Sequence, residues 1–562
     1  MFNREIINTF FTRLEFYVMQ KKTIVLLVLL LLAVGYFVLF WFPNSTGARD
    51  LSMTYIFEAD EPAQYPHALR LMIPGKTLSQ SIYRFFAYQH YYYGYPYYFY
   101  SAIVALLPLK LTVGLDNVSL NFLFLRQFVS VLPMLAAMLV LVYLQTGFES
   151  YIKSIGLFLL LLSVPEIVTN TLWYHPEGLV LLLIGLTFLF LVRDDLKFGR
   201  NFYLAALFCG LAVATKLVGL FFFLAIPYYI FLGWRHNRID TRKAIVVAAQ
   251  FVTIMFCTFV LVNPFLFWES ERKFAWKTQS DLHDAMGAGF IVEYTSGPLD
   301  WYNLVVKKFS IPAFLLLSAV SVVIGALKGP RRLLNQLIII WAVPFAIYIL
   351  VALAIHPGHF PVPILLPVFS SLPAYFTFFT PPKLTGSFLD YLKRHALRLV
   401  MLVVGITIVA AQFSFSLSRD IPHYLSVLNR EQNSRSLQFY EKINNDYLLH
   451  ITLARPLIVF RDVGMYIPDS PKYEMHFKWG ISNYNTIQKF NSEMLVLSKQ
   501  HLYDYTQEGM LEKGRDPDFV LTYDFYKDAL EGTVDGFTLL YQDDFGVVYL
   551  STPLYVNYFS SP

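Results

Sequence analysis

Apolar residues in this chain neither alternate nor recur on one helical face; they come in near-continuous runs separated by short polar or basic stretches. The first run, Thr23 to Pro43, is long enough to cross about 30 Å of hydrocarbon at about 1.5 Å per residue. It predicts a signal anchor. The run is too long for a signal-peptide core and lacks a small-residue cleavage site, and Arg13, Lys21 and Lys22 before it hold the N-terminus in the cytoplasm. Further runs near 121 to 145, 153 to 171, 178 to 193, 201 to 215, 217 to 233, 243 to 267, 310 to 327, 334 to 354, 361 to 380 and 397 to 418 bring the expected count to about eleven spans.

The basic loops Arg193 to Arg200, Arg235 to Lys243, Lys328 to Arg332 and Lys383 to Arg398 should all face the cytoplasm. They do so if residues 97 to 111 lie in the interface as an amphipathic helix and residues 201 to 233 form a hairpin of two short helices bent near Lys216. The rival topology makes 97 to 111 a span and 201 to 233 a single one, which turns His175 and Lys216 to the other face. On the first reading the outer side carries loops 44 to 120 and 269 to 309, the turns Leu172 to Glu177 and Ile355 to Phe360, and the chain after Leu417.

From Ser418 the pattern changes to polar, with strand-like stretches Leu457 to Phe460, Met494 to Leu497, Phe519 to Thr522 and Phe537 to Leu550. The last reads as a hairpin turning at Asp543, Asp544 and Gly546, and helical patterns lie near 432 to 447 and 500 to 512. The expected fold is therefore a polytopic α-helical membrane module over 1–418 and a C-terminal soluble α/β domain over 419–562.

Composition agrees: 562 residues, 56% hydrophobic against 15% charged, exclude a disordered or nucleic-acid-binding chain, so no nucleic-acid partner is expected. A net charge of +5 suits cytoplasmic loops and implies no acidic partner. Cys209 and Cys257 both fall in apolar runs, which excludes a disulfide framework. The C-terminal tail carries no nucleotide-binding or metal-finger motif.

The candidate chemistry lies in the outer loops. Glu58-Ala59-Asp60-Glu61 follows the first span, and two adjacent carboxylates near lipid suit a general base or metal ligand, since desolvation raises a carboxylate pKa. The alternative is a helix start, with Asp60 as cap and Glu61 favouring the dipole. His90 to Tyr100 is a run of tyrosines that includes Tyr95 before Pro96; it suits an aromatic belt or a platform that stacks sugars or grips a lipid headgroup. Lys216, at the bend between two apolar runs, either snorkels to the interface or serves function. Trp173-Tyr174-His175-Pro176-Glu177 ends a span, where His175 and Glu177 can orient a phosphate or metal, or simply cap and anchor. His356-Pro357-Gly358-His359 offers two histidines without a third ligand in sequence, which is weak support for a metal, so none is assigned and a divalent ion stays an open option. Arg272, Lys277, Asp281, His283 and Asp284 read as a solvated helix face or an acceptor contact, and Arg461-Asp462 as a turn or a reach toward the site.

A first span followed by an outer Asp-Glu pair, a proline-containing start to an interfacial helix and the later stretch Gly210-Leu211-Ala212-Val213-Ala214-Thr215-Lys216 resembles the glycosyltransferase C superfamily. The branch is the protein O-mannosyltransferase and aminoarabinose-transferase type, matched in layout over roughly 20 to 418. The resemblance implies inverting transfer of a sugar from a polyprenyl-phosphate donor to a glycan, lipid or protein acceptor on the outer face, with the first acid of the pair, here Asp60, as base. Two departures stand: Gln64 replaces a family tyrosine, with Tyr65 following, and Tyr93-Gly94-Tyr95-Pro96-Tyr97 replaces a His-Pro-Pro opening. Expected site residues are Asp60 and Glu61 for catalysis and Lys216, His175, Glu177, Tyr95 and His359 for substrate. Polar residues gather at one face and no repeated halves are visible, which favours the enzyme over a lipid-linked-sugar transporter or flippase, or an assembly protein. With no outer disulfides and no retention signal at Ser561-Pro562, the expected location is a bacterial inner membrane, with membrane lipid as the surrounding partner and the C-terminal domain on the periplasmic side.

Overall fold

The computed structural model describes residues 4–294, 297–382, 388–478 and 482–560. Part of the basic stretch from Lys383 and the terminal pair Ser561-Pro562 lie outside the described residues, as does the side chain of Arg13.

The chain is a multi-pass helical membrane protein with a small C-terminal sheet. Among the described residues seven helices qualify as spans by length and apolar composition: Gln20–Asn44, Val118–Thr146, Leu217–Arg235, Thr241–Leu261, Arg332–Ala352, Val362–Phe379 and Tyr391–Leu428. The pair Pro298–Lys308 and Pro312–Lys328, bent by 99°, makes an eighth if it counts as one span. The expected eleven is not confirmed. The runs at 153 and 201 give the shorter helices Tyr151–Leu162 and Arg200–Thr215. The helix Glu177–Asp194 carries Glu177, Arg193 and Asp194 at its ends.

Apolar residues on the outside of these helices have a physical reason only in lipid. Leu27, Leu31 and Val34 of the first helix are exposed, and so are Ile245, Val252 and Phe256 of Thr241–Leu261. Inside, Trp341 is fully buried and donates its indole N–H to the Pro363 carbonyl at 3.1 Å, which satisfies the ring's own polar atom.

At Lys216 the backbone leaves the helical region, with φ −153° and ψ 134°, and the chain continues through a short turn, Leu217–Phe221, into the helix Phe222–Arg235. The two arms lie side by side at their far ends: Phe202 stacks on Tyr229, with ring centroids 5.8 Å apart, and a side chain at Gly233 would strike Phe198. Residues 95–112 form one helix with a π-helical turn over Ser101–Leu106. Its Tyr97, Tyr98 and Ala102 are buried in an aromatic cluster with Tyr65, Tyr88 and Tyr174.

The C-terminal sheet has the order β2-β1-β3-β5-β4, formed by β1 (Leu457–Arg461), β2 (Tyr473–His476), β3 (Met494–Ser498), β4 (Phe537–Gln542) and β5 (Gly546–Ser551). The β2-β1-β3 half is parallel and the β3-β5-β4 half antiparallel. Alternation along the strands sends Phe460, Leu495 and Val547 to one face and Val459, Met494 and Val548 to the other, each covered by helices. The stretch at Phe519 is not a strand. It opens the helix Phe519–Glu531, whose buried Phe519, Thr522, Phe525, Tyr526 and Ala529 keep helical spacing that four residues were too few to reveal.

The sheet unit is fastened to the first loop. Arg430, just past the helix Phe388–Leu428, donates to Thr46; Tyr466 donates to Asp50 at 2.8 Å; and Arg461 lies over the Tyr55 ring at 5.4 Å. Further around, Glu293 donates its backbone N–H to the Lys513 carbonyl at 2.7 Å.

Candidate active site at one end of the helices

The acidic loop is held from both sides. Upstream, the helix Leu51–Phe57 is capped by Asp50 and ends at Glu58. Downstream, Asp60–Arg70 begins with Ala59 at its cap position, so Asp60 does not cap it. Among the described residues no hydrogen bond or ion pair engages the Asp60 carboxylate, and the residue is exposed.

Glu61 is the opposite case. Its carboxylate is fully buried against Arg126, which donates from Nε at 2.7 Å and from Nη2 at 2.5 Å. The Tyr174 backbone N–H adds a third bond at 2.6 Å. Arg126 spends its remaining nitrogen on the carbonyls of Asn44 and Thr46, at 2.9 and 2.8 Å. The pair thus ties the end of the first span, the acidic loop and the Trp173–Glu177 turn into one unit. Gln64 accepts from the Tyr97 hydroxyl at 2.5 Å.

Although Asp60 opens to solvent, enough protein surrounds its carboxyl that desolvation raises its pKa, the charge of Glu61 raises it further, and Lys216 opposes both. Glu58 is pushed up to about 8, by desolvation first and then by Glu61 and Asp60. An acid that ionises near 4.5 unfolded and near 8 folded binds a proton on folding between those values. Its contribution therefore weakens stability progressively as pH rises through that window. Glu58→Gln is expected to raise the melting temperature at pH 8 and above and to change it little at pH 5, a difference that thermal unfolding at the two pH values checks.

Lys216 reaches the site because the tyrosine run docks on the helix that ends there. Gly94 donates its N–H to the Thr215 carbonyl at 3.0 Å, and Tyr95 donates its own to Asn263 Oδ1 at 3.0 Å. A side chain at position 94 would run into the Ala214 carbonyl. Gly94→Ala is expected to lower the melting temperature by several degrees, since neither backbone segment can give way; differential scanning fluorimetry checks it.

Around Lys216 the two turns converge. Its ammonium is ion-paired with Glu177 and lies over the rings of Phe360 at 4.5 Å and Tyr93 at 6.0 Å. Glu177 Oε1 stands 3.8 Å from His175 Nδ1 and 3.9 Å from His359 Nε2. Tyr93 bonds His175 Nε2 at 2.8 Å, and Trp173 stacks on the same imidazole at 4.1 Å. Burial pushes both imidazoles well below the ordinary histidine range, helped at His175 by His359 and then Lys216 and at His359 by Lys216 and Lys308. His175, Glu177 and His359 place their ligand atoms within 4.8 Å of one another and form a group with the composition of a metal site.

The structure brings Asp60, Lys216, His175, Glu177 and His359 to one end of the helices. Tyr95 lies apart, its ring among Phe85, Phe86, Tyr88 and Phe99. His356 turns away from His359 and packs edge-on to Trp301 at 4.6 Å. Three participants escape the sequence reading. Arg126 was the most visible, an arginine inside an apolar run. Glu166 and Lys308, paired at 3.5 Å, press on Gly358 next to His359, where an added side chain would meet both at 2.6 Å. Nothing in their local sequence separates them from ordinary interface residues.

No protein-family model matches the chain, and no curated protein matches it in sequence. Among solved structures it is similar to ArnT from Cupriavidus metallidurans bound to undecaprenyl phosphate, with 13% identity, coverage of 93% of this chain and 98% of that one, and a TM-score of 0.47. It is also similar to the Archaeoglobus fulgidus oligosaccharyltransferase tethered with an acceptor peptide, with 13% identity, 94% and 74% coverage and a TM-score of 0.48. At these values the likeness carries no functional argument, which rests on the site itself.

Proposed function

We propose that the protein is an inverting glycosyltransferase that moves a sugar from a polyprenyl-phosphate donor to an acceptor hydroxyl at the outer, periplasmic face of a bacterial inner membrane. The observation that carries this reading is the division of labour in the acidic pair: Glu61 is locked by Arg126 while Asp60 keeps an unengaged carboxylate within the influence of Lys216.

An acceptor hydroxyl attacks an anomeric carbon poorly until its proton is withdrawn as the bond forms. Asp60 in its ionised form, free of partners among the described residues, takes that proton. Glu61 and Arg126 hold the loop so that the carboxylate points outward. On the opposite side of the sugar the bond to the carrier phosphate breaks, and its developing negative charge needs cations placed in advance. Lys216 supplies one and Lys308, beside the His359 turn, a second. Glu177, flanked by His175 and His359, holds Lys216 in position. The residues that would hold a divalent ion are the same three, and such an ion would supply charge neutralisation at the same phosphate.

The test is transfer of labelled sugar from a panel of polyprenyl-phosphate sugars by purified protein in lipid. Turnover with at least one donor, and inversion at the anomeric carbon of the product, are expected. Movement of a labelled lipid-linked sugar across the bilayer without transfer overturns the reading in favour of transport.

A further inference from the structure

We propose that His175, Glu177 and His359 form a cation seat whose carboxylate Lys216 neutralises with its own ammonium, and that the seat takes one divalent cation of the zinc class when that ammonium is removed. The inference concerns what occupies the seat and does not depend on sugar transfer.

The seat is built rather than fortuitous. Glu177 Oε1 is its hub, ion-paired to Lys216 and standing 3.8 and 3.9 Å from the two imidazole nitrogens. The Tyr93 hydroxyl occupies His175 Nε2, which leaves Nδ1 as the ring atom for the seat. That Nδ1 is buried and has no hydrogen-bond partner. Side chains of His175 and Glu177 are 1% and 2% exposed, so water does not compete freely for either. The rings of Trp173, Tyr93 and Phe360 wall the space.

Charge decides between ammonium and metal. Donor atoms around zinc, at about 2.0–2.2 Å from the ion, stand about 3.4 Å apart in a tetrahedron. The observed 3.8 and 3.9 Å separations are wider than bound zinc would hold them. All three ligand atoms lie within 4.8 Å of one another, so side-chain shifts of about 1 Å leave the same three ligands competent for the metal. An ammonium and a divalent ion together would place three positive charges against one carboxylate in apolar surroundings. Each occupant therefore excludes the other.

The experiment uses full-length protein in detergent and cobalt(II) as a visible stand-in for zinc. Wild type is expected to bind no cobalt that depends on His359. Lys216→Met is expected to bind about one ion per chain with a tetrahedral visible spectrum, displaced by zinc, and to lose it when His359→Ala is added. Lys216→Gln serves the same test if the Met variant does not elute as a single species. Two results would overturn the proposal: a wild-type protein holding one equivalent that His359→Ala removes, or a well-folded lysine variant that binds none.

Discussion

Asp60→Asn is expected to lower the rate of sugar transfer by more than about a hundredfold while leaving donor binding and the melting temperature close to wild type. Asparagine has the shape of aspartate but cannot accept the acceptor's proton, and no bond is lost because the Asp60 carboxylate makes none among the described residues. The loss should fall on kcat, since proton withdrawal belongs to the transition state and not to the ground-state complex. Because burial and Glu61 raise the Asp60 pKa, the wild-type rate should fall on the acid side at a pH above the ordinary aspartate value of 3.8. The sign follows from the ionised form being the active one. Single-turnover transfer with saturating donor, across a pH series, measures both effects. Equal rates for wild type and variant would end the assignment of Asp60 as base.

The second large effect is on folding. Glu61→Ala leaves the Arg126 guanidinium fully buried with no carboxylate, and Arg126→Met strands Glu61 in the same way. Each should cost about 3–5 kcal/mol, the usual penalty for breaking a buried pair from one side. Because the pair joins the first span to the acidic loop and the Trp173–Glu177 turn, the loss should show as poor recovery of monodisperse protein and a lower melting temperature rather than as a change in KM alone. Replacing both residues by apolar ones of similar volume, Glu61→Leu with Arg126→Met, should restore part of the stability, because no buried charge is then left unpaired. If the double variant is as unstable as the worse single one, the hydrogen bonds to Asn44, Thr46 and Tyr174 carry the unit instead.

Much of the architecture was legible because the bilayer imposes a pattern on sequence. Runs such as Thr23 to Pro43 and 243 to 267 become helices with exposed apolar sides, since lipid asks only that a segment satisfy its own backbone and present hydrocarbon. The break at Lys216 was legible for a related reason: a lysine between apolar runs interrupts the pattern. In the C-terminal unit, the strands at Leu457 and Met494 and the turn at Asp543 follow their local alternation, while Phe519 was misread because four apolar or β-branched residues fit a strand as well as the first turn of a helix.

The sequence by itself determined a membrane protein with helical spans, an acidic loop after the first of them, a lysine at a helix break and an α/β tail. Only the tertiary structure decided which polar groups meet. Arg126 lies 65 residues from the Glu61 it neutralises, and His359 meets His175 across several intervening helices. The reason is physical: a span's apolar pattern specifies that it crosses, and says nothing of which neighbour it packs against or how it is rotated. Those choices are made by packing and by the need to pair each buried charge, both of which are properties of the assembled fold.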